Sequence, residues 1–471
     1  MRLQAALISA ALAALALGSA AGAVLLPPSG SARLDGQSAV AGGDPVFVLT
    51  GSGYGHGAGM SQYGAYAQAK AGRSAADILG FYYPGTQLVK QPATTKLRVL
   101  LSPAAKTLSL ASTAAYSVRD AAGQSYPLAA GALTLGPKLE VPVEGVATPL
   151  AGPLTFVPGN GSLLSLGGHP YRGSIEITPV QSGLQAVDVV GVDAYVQGVV
   201  PGEMPKAWPA AALQAQAIAA RSYALAARVK GKAWDLYSDP RSQQYLGAAA
   251  ETAETTAAVK QTAGRVLVYE GVVATTVYSS SSGGRTQSGL DAFGLDLPYL
   301  PAQADPWDSA SPFHVWQPRA FTPAQLTKAF ALTSPVAEVQ ARFSPSGRVV
   351  SLTIVTAAGT STAFAGAEVR RRLALRSTAF HLATLRFGAP PAAGAPGAAV
   401  KLTGIARDAL QPLLEKRGAD GTWTAVVRRL KISATGTFAA VVHPTETTTY
   451  RLSAAGLAGP LLTISVAGTQ P

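Results

Sequence analysis

Apolar and polar positions follow three regimes along this chain. Across residues 96–190 they alternate in short runs: LRVLL (97–101), YSVRD (116–120), LEVPV (139–143), LTFVP (154–158) and IEITP (175–179). Glycine, proline and asparagine separate the runs, which is the pattern of short strands and turns. Ala186–Val200 fits a strand or a short helix equally well. The alternation stops at Ala210, and no breaker occurs before Arg228. That stretch predicts one helix about 30 Å long, with Pro209 in its first turn and Gly231 as its stop. Gln214, Gln216, Arg221 and Ser222 are the few polar residues on it, and a helix apolar nearly all round is buried. Gln214 and Arg221, seven apart, share a face. Alternation returns over residues 400–468 in VKLTGI, LQPLLEKR, TWTAVVRRL, GTFAAVVHP and TTTYRLSAAG. This predicts a small C-terminal β-sandwich, resembling immunoglobulin-like or fibronectin-like modules, behind the linker GAPPAAGAPGAA (388–399). The fold class is α+β: a β-rich domain around a central buried helix, plus that β-sandwich.

Smaller signals fill the rest. Ser61–Ala71 is helix-like, and Ser74 caps a second short helix through Leu79. Thr252–Thr262 predicts a helix. Arg265–Tyr269 and Val272–Tyr278 predict strands joined at Glu270–Gly271, a junction that suits a hairpin. FTPAQLTKAF reads as a capped helix and RFSPSGRVVSLTIVTAAG as a hairpin. Residues 1–23 have a signal-peptide pattern: Arg2, an apolar core from Ala5 to Leu17, and the small-residue site Ala21-Gly22-Ala23. Residues 24–44 read as a spacer. The expected destination is outside the cytoplasm, in the periplasm or cell wall or secreted, with no stable membrane span after cleavage.

Composition narrows the chemistry. The 471 residues include no cysteine, which removes disulfides, thiolate nucleophiles and thiolate metal ligands. The net charge of +12 suits an anionic polymer or surface. No dense Lys/Arg run and no nucleic-acid motif appears, so no nucleic-acid partner is expected. Asp305, Asp308 and His314 lack a ligand spacing, so no metal and no cofactor is expected. The tract Ser279–Gly284 lacks the elbow of a serine nucleophile. Glu203, in the proline-punctuated VVPGEMPKAWP, is the remaining candidate. A glutamate in a partly apolar cleft has a raised pKa and can act as a general acid; a solvated loop glutamate is the alternative.

VVPGEMPKAWPAAALQAQAIAARSYAL resembles the signature of the stage II sporulation protein D family, which includes peptidoglycan lytic transglycosylases and relatives described as amidase enhancers. GVDAYVQGVVP, QQYLG, YSSSSGG, GHGAGMSQYGAYAQAKAG, ILGFYYPGT and AGAEVRRRLALRSTAF resemble the same family. In most members the glycine-histidine block follows the core; here it precedes it. The domains expected on this basis are the block at 45–90, packing on the core, and the catalytic domain at 95–387. The resemblance implies that Glu203 is the catalytic acid, with Arg221, Gln244, Tyr245, Ser282, Gly283, His56, Gln62 and Tyr63 as substrate contacts. A zinc site that some members build with cysteines does not carry over. The implied function is cleavage of peptidoglycan glycan strands, peptide-stripped by preference. The alternative is a non-catalytic wall-binding enhancer whose partner is a cell-wall amidase.

Overall fold

The computed structural model describes residues 44–92, 94–229 and 231–467. The expected signal peptide and nearly all of the spacer lie outside the described residues. The chain divides into two compact units: residues 57–280 with 286–310, and residues 44–56 with 281–285 and 311–467.

The first unit joins a sheet region to a helical region. Its seven-stranded sheet runs in the order Leu236–Tyr237, Lys96–Ala105, Gly183–Gly191, Ser174–Val180, Leu154–Val157, Tyr116–Arg119, Ser125–Leu128. All pairs are antiparallel except the first. Alternation fixes the register. Leu154 lies opposite Ile177, and Phe156 lies between Ile175 and Val118. One face of each strand thus enters a core shared with a four-stranded sheet that includes Leu110 and Leu164. A one-residue slip would turn every one of these side chains to the other face.

The other half is built mainly from α1 (Gln62–Lys70), α2 (Ala75–Tyr82), α3 (Val192–Glu203), α4 (Ala210–Ala226) and α5 (Ala253–Gln261). Ser74 caps α2 as expected, and the Ser61 and Thr252 hydroxyls, which stand just ahead of α1 and α5, cap those helices in the same way. The ambiguous stretch 186–200 is both alternatives in sequence: strand to Gly191, then α3. Glu203 was expected in a loop and is instead the last residue of α3. Pro201 lies inside the final turn of that helix, where it supplies no N–H to the i−4 carbonyl and the helix ends two residues later. α4 starts directly after Pro209, its N-cap, and is the buried centre of the unit. From Ala215 to Ala224 every residue is buried, packed against α1, α2, α3, α5 and the strand Arg265–Tyr269. Alanine at most of these positions lets five neighbours approach one helix closely. Glu270 and Gly271 both have positive φ, 49° and 76°, as a tight hairpin turn requires. The second strand stops at Val273. Tyr278–Ser279 instead pairs in parallel with Met60–Ser61.

In the second unit Val46–Gly51 lies between Arg319–Phe321 and Phe380–Phe387, which pairs with Val400–Arg407 and onward with Thr437–Val442. Residues 388–399 therefore connect two strands that pair with each other. The central strands serve two cores. Phe47, Leu49, Phe380 and Leu382 face one, with Leu352 and Phe330; Val48, Leu385 and Phe387 face the other, with Leu414 and Leu452. No helix among the described residues is long and apolar enough to cross a membrane.

Candidate active site

Glu203 is placed by the packing of α3. Gly198 and Gly202, four apart on one face, leave room for the chain at 244–247. A Cβ at Gly198 would stand 2.6 Å from the Tyr245 ring, and one at Gly202 would stand 3.1 Å from Leu246. Without side chains there, Leu246 N–H donates to the Gly198 carbonyl. The Gln244 backbone N–H then reaches Glu203 Oε1 at 3.4 Å.

The second donor comes from α1. Met60–Ser61 pairs with Tyr278–Ser279, and Tyr63 N–H donates to the Ser280 carbonyl. Ser61 Oγ caps α1 and donates to Asp308 at 2.8 Å. So anchored, Gln62 extends Nε2 to Glu203 Oε2 and to Gln216 Oε1, both at 3.4 Å. Gln216 is fully buried on α4, and its Nε2 has no protein partner. Beside this centre Trp208 packs against Tyr63 and Tyr66, with ring centroids 5.1 and 4.9 Å apart.

Burial raises the Glu203 pKa above the ordinary carboxyl value; the Gln244 N–H, the Gln62 amide and the Tyr278 hydroxyl oppose that shift. Tyr195, Tyr223 and Tyr278 surround it, each with its pKa raised first by burial; the Glu203 charge comes next for Tyr223 and Tyr278, and for Tyr195 it follows Tyr223. The side chain remains half-buried rather than sealed. A carboxyl whose neutral form is favoured by burial, with backbone and amide donors ready for its ionised form, can release a proton and take it back.

The other expected contacts divide. Gln62 and Gln244 meet at Glu203, and Tyr63 stands on the neighbouring aromatic ledge. Tyr245 is buried beneath α3, stacked between Tyr171 and Tyr195, and donates to Asp188 at 2.7 Å. Arg221 is fully buried. Its Nε meets Asp193 at 2.7 Å in the first turn of α3, and its other nitrogens donate to carbonyls of Val259 on α5 and Arg265. It fastens the helices together from inside. His56, Ser282 and Gly283 belong to the second unit, where Arg348 donates to the carbonyls of Gly55 and Ser282. Sequence reasoning did not single out Gln243 and Tyr278 as site residues, and it noted Gln216 only as a polar interruption. The QQYLG and YSSSSGG motifs contain or border the first two. Asp305 and Asp308, weighed above for metal, accept from Tyr82 and Ser61. The surface hollow lined by Lys90, Gln91, Pro92, Ala263 and Gly264 shares no residue with this centre.

Fold and site define an α+β domain with one half-buried acid at a helix end. Residues 180–269, which span α3, α4 and α5, match the family model described as Stage II sporulation protein. That stretch carries the domain of the stage II sporulation protein family model, and stage II sporulation protein D is among the proteins the chain is similar to. It is 34% identical over 157 residues to an uncharacterized protein of Brachyspira hyodysenteriae, covering 31% of this chain and 43% of that protein. It is 38% identical over 113 residues to the amidase enhancer of Bacillus subtilis, 24% of this chain and 15% of the enhancer. With stage II sporulation protein D of Bacillus subtilis the identity is 27% over 234 residues, 46% of this chain and 67% of the relative. The first two relatives are thus matched over less than half of their own length. No solved structure matches the chain.

Proposed function

We propose that this protein is an exported lytic transglycosylase that cleaves peptidoglycan glycan strands with Glu203 as its single acid and base. The observation that carries this is Glu203 itself, half-buried, raised in pKa and met by Gln244 and Gln62. Glycosidases that use water need a second carboxylate at the sugar. Asp188, Asp305 and Asp308 of the same unit are completely buried and cannot touch a glycan. One acid suffices when the substrate supplies its own nucleophile. Glu203 gives its proton to the glycosidic oxygen as the C1–O bond breaks. The carboxylate then takes the proton of the muramic 6-hydroxyl as that oxygen closes on C1, leaving a 1,6-anhydro end. The ledge of Trp208, Tyr63 and Tyr66 offers rings on which a sugar face can stack. Gln62 and Gln244 are proposed to position the strand at the acid.

The relative named amidase enhancer favours a second reading, in which the protein binds the wall and stimulates an amidase. Incubating purified peptidoglycan, intact and peptide-stripped, with and without a cell-wall amidase separates the two. New sugar ends without amidase support the enzyme; new ends or released peptides that depend wholly on added amidase support the enhancer.

A further inference from the structure

Three polar residues interrupt the buried stretch of α4 from Ala215 to Ala224, and two of them are accounted for by the fold. Arg221 meets Asp193 and the carbonyls of Val259 and Arg265. Ser222 donates to the Ile218 carbonyl and accepts from Leu267 N–H. Gln216 is different. It is fully buried, its Oε1 accepts from Gln62 Nε2 at 3.4 Å, and its own Nε2 has no protein partner. A buried N–H without a partner weakens a fold, so packing does not explain a glutamine here. What its oxygen faces does. Gln62 Nε2 lies 3.4 Å from Gln216 Oε1 and 3.4 Å from Glu203 Oε2. The two ends of an amide fill nearly the same space, so shape alone does not decide which end meets the acid. Turned over, Gln62 would set its own oxygen against the oxygens of both neighbours.

We propose that Gln216 is a positioning residue: its Oε1 holds the Gln62 amide with Nε2 toward Glu203, so that a donor is in place before the carboxylate forms. A neutral Glu203 makes no strong demand for a donor, and Gln216 Oε1 is then the acceptor that keeps Nε2 on that side. This deepens the proposed function and rests on it for its meaning in catalysis. Glu203 is ionised only between giving its proton to the glycosidic oxygen and taking that of the muramic 6-hydroxyl. A donor already aimed at the carboxylate needs no rearrangement in that interval. The titratable groups around Glu203 are Tyr195 from α3, Tyr223 from α4 and Tyr278 from its short strand, all raised above the ordinary tyrosine value. They stay neutral while Glu203 titrates, and the other donor facing it is the uncharged Gln244 N–H.

The test does not require cleavage. The carboxyl carbon of Glu203 is followed by NMR in protein carrying 13C-labelled glutamate, with Glu203→Gln assigning the signal. Gln62→Met removes the donor and is expected to raise the titration midpoint by roughly one half to one pH unit, about the size of one net hydrogen bond. Gln216→Met, which fills the space without an acceptor, is expected to raise it in the same direction by roughly 0.2–0.5 pH unit. In the Gln62→Met background it should add nothing, because Gln216 acts through Gln62. Urea unfolding of Gln216→Met should show stability equal to the wild type or higher, since the unpartnered N–H is gone. Gln216→Leu run alongside keeps the result independent of how one side chain packs. A midpoint unmoved or lowered in both Gln216 variants overturns the proposal. So does a rise that persists undiminished in the Gln62→Met background, or a marked loss of stability in both, which would make the amide a part of the fold. Cleavage that survives in Glu203→Gln would remove the functional reading while leaving the titration result intact.

Discussion

Two carboxyl groups in the first unit occupy consecutive elements. Asp188 lies on the strand that ends at Gly191, and Glu203 ends the helix that begins at Val192. Burial raises both. Asp188 reaches about 7, with Tyr245 donating to one oxygen and the other left without a partner. Glu203 is less enclosed, and both of its oxygens face donors on separate segments. The difference shows that a raised carboxyl pKa marks a site only when the group can reach a substrate and its ionised form is provided for. Asp188 meets neither condition; it holds Tyr245, and through Tyr245 the chain that presents Gln244.

The largest expected effect separates the two acids directly. Glu203→Gln should lower the cleavage rate by about 10²–10⁴-fold while glycan binding persists, as read by rates and by pull-down on the same strands. Cleavage by the wild type should fall as pH rises through the raised Glu203 pKa, because the neutral acid is the donor. Asp188→Asn should instead change stability. A folded-state pKa above the unfolded value of 3.8 gives stability that is full below 3.8 and lost as pH climbs towards 7. Urea unfolding at pH 4 and pH 8 should show a drop of a few kcal/mol in the wild type, and much less in Asp188→Asn. Equal pH dependence in both proteins would break the comparison.

A smaller effect tests the frame that both acids share. Arg221→Met leaves Asp193 without its partner and three helices without their shared fastening. It should cost about 3 kcal/mol in urea unfolding. A loss of rate at unchanged stability would make Arg221 a substrate contact after all. Smallest of the four, Trp208→Ala should raise KM several-fold with kcat little changed, since the ledge binds the sugar without taking part in proton transfer.

Much of the fold was legible where the signal is local. The breaker-free alanine run marked α4 to within two residues of its end, and the hydroxyl cap at Ser74 fell where expected. α3 was obscured because Gly198, Pro201 and Gly202 look like loop residues. The two glycines serve packing against Tyr245 and Leu246, and a sequence does not display that contact. The strands after residue 400 were legible by alternation. The rest of their sheet was not: Val400–Arg407 pairs with Phe380–Phe387, which pairs in turn with Val46–Gly51 about 330 residues back along the chain, and nothing local records that pairing.

The candidate site was legible at Glu203, Gln62 and Gln244, which motifs carry. Gln243 shows why the rest was hidden. It and Gln244 are adjacent and chemically alike, yet one side chain is buried against Ala220 while the other residue contributes its backbone N–H. Which of two like neighbours points inward depends on how the loop meets α3 and α4. Arg221 is the converse case: its motif was legible, and its burial against Asp193 depends on three helices converging.

Mass spectrometry of the products of peptide-stripped peptidoglycan, treated with the wild type or with Glu203→Gln, tests the central claim most directly. The account predicts disaccharides ending in 1,6-anhydro-muramic acid from the wild type and none from the variant. Reducing ends carrying the added mass of water, or anhydro ends that persist in Glu203→Gln, would contradict it.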